Sequence, residues 1–107
     1  MEVVPEMQKL RKWIDEKKIE WEDKSQMFPD TSYDLWICRT HFFYNKEFIS
    51  VINGFGTYGG YLFDESNKNL LEIMKDDIDG QVRGYLTADD VINILGEMDE
   101  NKITTRT

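Results

Sequence analysis

Three stretches of the chain carry residue types whose spacing could do chemistry. The first, SVINGFGTYGGYLF from Ser50 to Phe63, sets Gly54, Gly56 and Gly59 in G-x-G-x-x-G spacing directly after a strand-like run. A dinucleotide site of that kind needs a strand, the glycine turn, and then a helix whose amino terminus faces the pyrophosphate. Here Gly59 is followed by GYLFDESNKN, which has β and loop character, and no βαβ unit fits around it. No Lys or Arg lies between Lys46 and Lys68, so an anion would rest on backbone N–H groups alone. The expectation is a glycine-rich bend or bulge in a sheet. Gly54, Phe55, Gly56, Tyr58, Gly59 and Tyr61 make it a stickier surface than an ordinary turn, able to meet a partner or, as the alternative, a small ligand or nucleotide.

The second stretch, DIDGQVRGYLTADDV, has the look of a calcium loop, which needs acidic ligands at fixed positions, a central glycine and a closing acid. Asp77, Asp79, Gly84, Tyr85, Leu86 and Asp90 follow that order only with two residues inserted after Gly80. Without the insertion, Lys75 takes the first ligand position and Leu86 the last. A β-turn of Asp and Gly leading into a strand and a capped helix accounts for the same residues.

The third is the pair Cys38 and His41, the single cysteine and single histidine of the chain. Three residues apart on a strand, they point to opposite faces and cannot act together. Cys38 falls in register with Trp36 and Phe42 and reads as a core thiol. His41 shares its face with Leu35, Ile37, Arg39 and Phe43 and reads as a packed or hydrogen-bonded residue. One of each also leaves too few ligands for structural zinc. A metal nuclease pattern begun at Pro29 and Asp30 has no later acid followed two positions on by lysine, and it fails. The expectation is no enzyme, no metal and no cofactor.

The elements that would carry these residues follow from periodicity. Residues 5–18 predict a helix, with Pro5 in the first turn and Met7, Leu10 and Ile14 on one face. Lys17 and Lys18 suit its carboxyl end. IEWED predicts a short strand, DKSQMFPDTSYD a loop, and LWICRTHFFY the clearest strand, which Asn45 and Lys46 turn back into EFISVI. LLEIMK fits helix or strand, and VRGYL predicts another strand. A last helix begins near Ala88, with Thr87 as N-cap, Asp90 closing a capping box, and Val91, Leu95 and Met98 as its stripe. Gly96 is a candidate for an early end, and 101–107 for a frayed tail. The architecture expected is a single α+β domain over 1–107: a mainly antiparallel sheet of four to five strands with an amino-terminal and a carboxyl-terminal helix packed on it.

Composition limits the partners. The 107 residues are 40% hydrophobic and 13% aromatic, a folding composition. A net charge of −8 argues against direct nucleic-acid binding, which needs clustered Lys and Arg. No apolar run reaches membrane-spanning length. A lone thiol and the absence of a signal-like start point to a cytoplasmic protein. Residues 64–100 hold 11 acids against 3 bases, so nearly all the imbalance sits in the last third. Asp76, Asp77 and Asp79 on the turn, with Asp89, Asp90 and Glu97 on the last helix, are the candidate docking surface for a basic partner. A homodimer through an exposed strand edge is a further alternative.

The segments IEWEDKS, WICRTHFFY, SVINGFGTYGG, LLEIM and GYLTADDV together resemble small acidic proteins encoded by phages and prophages of gut-type bacteria. The likeness spans most of the chain and carries over no functional residues. It implies a context, in which such proteins bind and inhibit host enzymes or defence systems, as anti-CRISPR and anti-restriction proteins do. The function expected is therefore a non-enzymatic protein-binding module acting on a basic host or defence protein.

Overall fold

The computed structural model describes residues 3–28, 35–62, 65–75 and 82–104, with the backbone alone at 28 and 98–104. Helix α1 spans Pro5–Glu16 and buries Met7, Leu10 and Ile14, the face that the sequence spacing predicts. It stops short of the expected end. Lys18 takes a left-handed φ of 59°, and the N–H groups of Lys18 and Ile19 donate back to the carbonyls of Asp15 and Ile14. That is a Schellman closure, here built without glycine.

Strands β1 (Trp21–Asp23), β2 (Gln26–Phe28), β3 (Leu35–Tyr44), β4 (Glu47–Gly54), β5 (Leu71–Lys75) and β6 (Val82–Leu86) form one six-stranded antiparallel sheet. The order is β1-β3-β4-β5-β6, with β2 also on β3. The sheet exceeds the expected size because Gln26–Phe28, read as loop, pairs with Leu35–Ile37. A three-residue strand beside a proline leaves too little period to recognise. The LLEIMK ambiguity resolves as strand over Leu71–Lys75. Asn45 and Lys46, with φ of 51° and 69°, make the two-residue turn between β3 and β4, as primed hairpin turns require.

Helix α2 spans Ala88–Thr104, so Gly96 does not end it and Asn101–Thr104 belong to the helix. No neighbour stands within 4 Å of where a Gly96 side chain would start, and a single glycine inside a helix costs only about 1 kcal/mol. The capping box forms as expected: Asp90 N–H donates to Thr87 Oγ1 at 3.2 Å and Thr87 N–H to Asp90 Oδ2 at 2.9 Å. Hydrogen bonds to the carboxylate, first from the Thr87 backbone N–H and then from the Thr87 side chain, hold the Asp90 carboxyl below its ordinary value. Ala88 N–H donates to Glu6 at 2.7 Å and Lys9 pairs with Asp89 at 3.0 Å, joining the two helices at their sides.

Both helices lie on one face of the sheet. Cys38 and Phe42 from β3, Ile49 and Val51 from β4, and Leu71 and Ile73 from β5 share that face and meet Met7, Leu10, Ile14, Val91 and Leu95 in the core. Thr40, fully buried among them, accepts from Arg11 Nε at 2.8 Å. Residues of the alternate set point the other way, where no helix is packed among the described residues.

Candidate protein-docking face

The uncovered face is built by strand alternation. On β3 it carries Arg39, His41 and Phe43; on β4 Phe48, Ser50 and Ile52; on β5 Glu72 and Met74. The hairpin register sets Phe43 opposite Phe48 and His41 opposite Ser50. Phe43 is 65% exposed, the largest value among the exposed apolar side chains of the described residues, and it meets Phe48 edge-on at 5.6 Å between ring centres. His41 meets the same Phe48 ring at 4.9 Å. Met74 and its cross-strand neighbour Val82 continue the apolar strip toward the far edge, each 42% exposed.

Beside this cluster a groove of about 900 Å³ opens at the sheet edge. Its walls are Ile19, Glu20 and Trp21 on one side and Phe43 and Phe48 on the other. Trp21 is fixed by its Nε1–H, which donates to Asp15 at 2.8 Å, and by the Arg11 guanidinium 4.6 Å over its ring. Glu22 is held by Lys24 at 2.8 Å.

His41 titrates below its ordinary value, first because it is desolvated and then because Arg39 and Lys24 lie near; Glu22 opposes them. A depressed folded value favours the neutral ring. Its contribution to stability is present in full above the unfolded value near 6.5 and is lost as pH falls through the folded value. Urea midpoints measured from pH 7.5 to 5 should therefore fall. The fall should be smaller in His41→Gln, which cannot take up the proton.

The glycine loop is the bend that the element order implies, and most of its N–H groups are already used. Those of Gly54, Phe55, Gly56, Thr57, Tyr58, Gly60 and Tyr61 donate to Thr57 Oγ1, Trp36 O, Tyr61 O, Gly54 O, Glu72 Oε1, Thr57 O and Gly54 O respectively. A phosphate cradle needs such groups pointed outward. The Trp36 N–H donates to the Tyr61 hydroxyl oxygen at 3.3 Å, and the Tyr61 ring packs against Phe55 and Trp36. Tyr58 lies across Gly84 of β6, where a β-carbon would strike its side chain, and pairs with Tyr85 at 6.3 Å. Of the loop, Tyr58 is the exposed aromatic, at 58%.

The acidic candidates separate. Asp89 is engaged by Lys9 and Asp90 by the helix cap, while Glu97 is exposed on α2. Asp76, Asp77 and Asp79 lie outside the described residues. The stretch before them, the place of an entering helix in a calcium loop, is strand β5, and Gly84, Tyr85 and Leu86 belong to strand β6.

Sequence reading missed Phe43 and Phe48 as a surface. The signal was present: a two-residue turn at Asn45–Lys46 forces them opposite one another, and two helices cover only one face of a sheet. Comparison with known protein families, with curated proteins and with solved structures gave no match.

Proposed function

We propose that the chain is a non-enzymatic protein-binding module that docks through the uncovered sheet face around Phe43, Phe48 and His41. The resemblance implies the kind of partner, a host or defence protein held by a phage-type inhibitor. One observation carries the reading: an aromatic cluster, with Phe43 at 65% exposure, sits on a sheet face that neither helix covers. Large exposed aromatics cost solvation in a free monomer and are enriched at the centres of interfaces. The acidic residues Asp76, Asp77 and Asp79 would steer a basic partner without supplying most of the affinity.

The test is capture of partners from bacterial lysate by wild type, by Phe43→Asp, and by a triple Asp76, Asp77 and Asp79 to Lys variant. Melting curves establish that both variants fold. A stoichiometric partner lost with Phe43→Asp and kept at high salt is the expected outcome. A partner that ignores Phe43→Asp but is lost on charge reversal would place docking on Asp76, Asp77 and Asp79 and remove the sheet-face reading.

A further inference from the structure

The strand register lays the uncovered face out in rows. One row sets Arg39, Ile52 and Glu72 abreast on β3, β4 and β5, so a cation and an anion flank the central strand. Neither forms an ion pair among the described residues, and Ile52 stands between them. Glu72 Oε1 accepts the Tyr58 N–H at 2.9 Å, which leaves its charge uncompensated. The next row is His41, Ser50, Met74 and Val82, and the third sets Phe43 beside Phe48. Four of the seven large apolar side chains exposed among the described residues, Phe43, Tyr58, Met74 and Val82, stand on this face. A free monomer would thus leave most of its exposed apolar surface on one side.

We infer that the resting occupant of this face is a second copy of the chain, packed sheet on sheet about a two-fold axis that runs along β4. Such an axis lays β3 over β5 of the second copy. It sets Arg39 against Glu72 of the second copy and Glu72 against Arg39 of the second copy, so one contact makes two ion pairs, as in any isologous interface. Phe48 and Ile52, on the axis, meet their own counterparts, and His41 meets Met74 of the second copy. Ser50, small and 5% exposed, lies between them and lets the layers close to the roughly 10 Å of a β-sandwich. A two-fold axis laid across the strands at the same row would put Arg39 on Arg39 and Glu72 on Glu72. Charge therefore selects the axis along β4. A surface of one sign would match one of the two charges and repel the other, whereas the second copy matches both. This goes beyond the host-protein reading, since an outside partner would take the face by displacing the second copy.

The test is analytical ultracentrifugation of the full chain from about 1 to 300 μM, where mass action separates monomer from dimer. Wild type should be a dimer that weakens as salt is added. Arg39→Glu and Glu72→Arg should each weaken it at least tenfold, because like charges then meet twice. Mixed together, the two variants should pair again, each supplying the charge that the other lacks. Melting curves establish that both fold. Should Glu72→Arg unfold, Glu72→Gln still accepts the Tyr58 N–H, and it should weaken the dimer and flatten its salt dependence. A wild type that stays monomeric across the range overturns the proposal, and so does a dimer indifferent to Arg39→Glu or variants that fold but do not pair when mixed. In each case the host-protein reading stands if lysate capture still depends on Phe43. A dimer with these charge responses, beside capture that ignores Phe43→Asp, removes that reading and keeps this one.

Discussion

Asn53→Asp should lower the melting temperature by roughly 10–20 °C, the equivalent of about 3 kcal/mol in a domain of this size. Asn53 is fully buried at the end of β4. Its amide donates to Leu70 O at 2.8 Å and Asn67 Oδ1 at 3.0 Å, and its Oδ1 accepts from Asn67 Nδ2 at 2.8 Å. Asn67 Oδ1 also accepts the N–H of Asn69. One side chain thus ties the start of the glycine loop to its return into β5. Aspartate has the same shape and leaves no cavity, but it turns the donor into a buried charge facing the Leu70 and Gly59 carbonyl oxygens. Burial raises its folded pKa, so the deficit is full above that value and shrinks as pH falls through it, when the protonated acid can donate again. Melting curves at pH 7 and pH 4.5, each against wild type, read both effects. A loss under about 3 °C at pH 7 would mean that the amide network does not hold the loop.

Gly60→Ala is the second large effect. A β-carbon there would be driven into the Gly54 carbonyl oxygen and would crowd Thr57 Oγ1. Those atoms cannot step aside cheaply, since the Gly54 carbonyl accepts from Thr57 N–H and Oγ1 and from Tyr61 N–H. The expected loss is about 3 kcal/mol or more, from overpacking against backbone. Gly56 supplies the internal control. Nothing stands within 4 Å of its β-position, but its φ is 77°, so Gly56→Ala should cost only the left-handed penalty, about 1–2 kcal/mol. Urea denaturation of the two variants should separate them clearly. Equal losses would mean that backbone conformation, not the close approach to Gly54, makes glycine necessary at 60.

The same two positions show why part of this fold was legible in the sequence and part was not. Local signals sufficed where one physical rule acts alone. Pro5 with the 7, 10, 14 spacing located α1, the Asn45–Lys46 turn fixed the hairpin, and Thr87 with Asp90 announced the start of α2. The order of elements also correctly made the glycine run a bend. Long-range pairing was not legible. Strand β2 exists because β3 offers an edge to Gln26–Phe28, and LEIMK becomes a strand because β4 and β6 flank it. Nor does periodicity say that Asn53 must meet Asn67, since both look like loop polar residues until the chain closes. The candidate face was half legible: His41 and Phe43 were placed together, but which side the helices would leave bare is a property of the packed layers.

One consequence of the Asn53–Gly54 seam reaches beyond stability. Asparagine followed by glycine is the dipeptide most prone to lose ammonia, because the glycine nitrogen can attack the side-chain amide carbon to give a cyclic imide. The imide then opens to aspartate or isoaspartate. In the native fold that attack is blocked, since Gly54 N–H is given to Thr57 Oγ1 at 3.0 Å and the Asn53 amide is tethered by Leu70 and Asn67. In the unfolded chain both restraints vanish. Every excursion out of the native state therefore risks a one-way chemical edit at the residue on which closing the loop depends. The protein carries an ageing clock that advances only while it is unfolded.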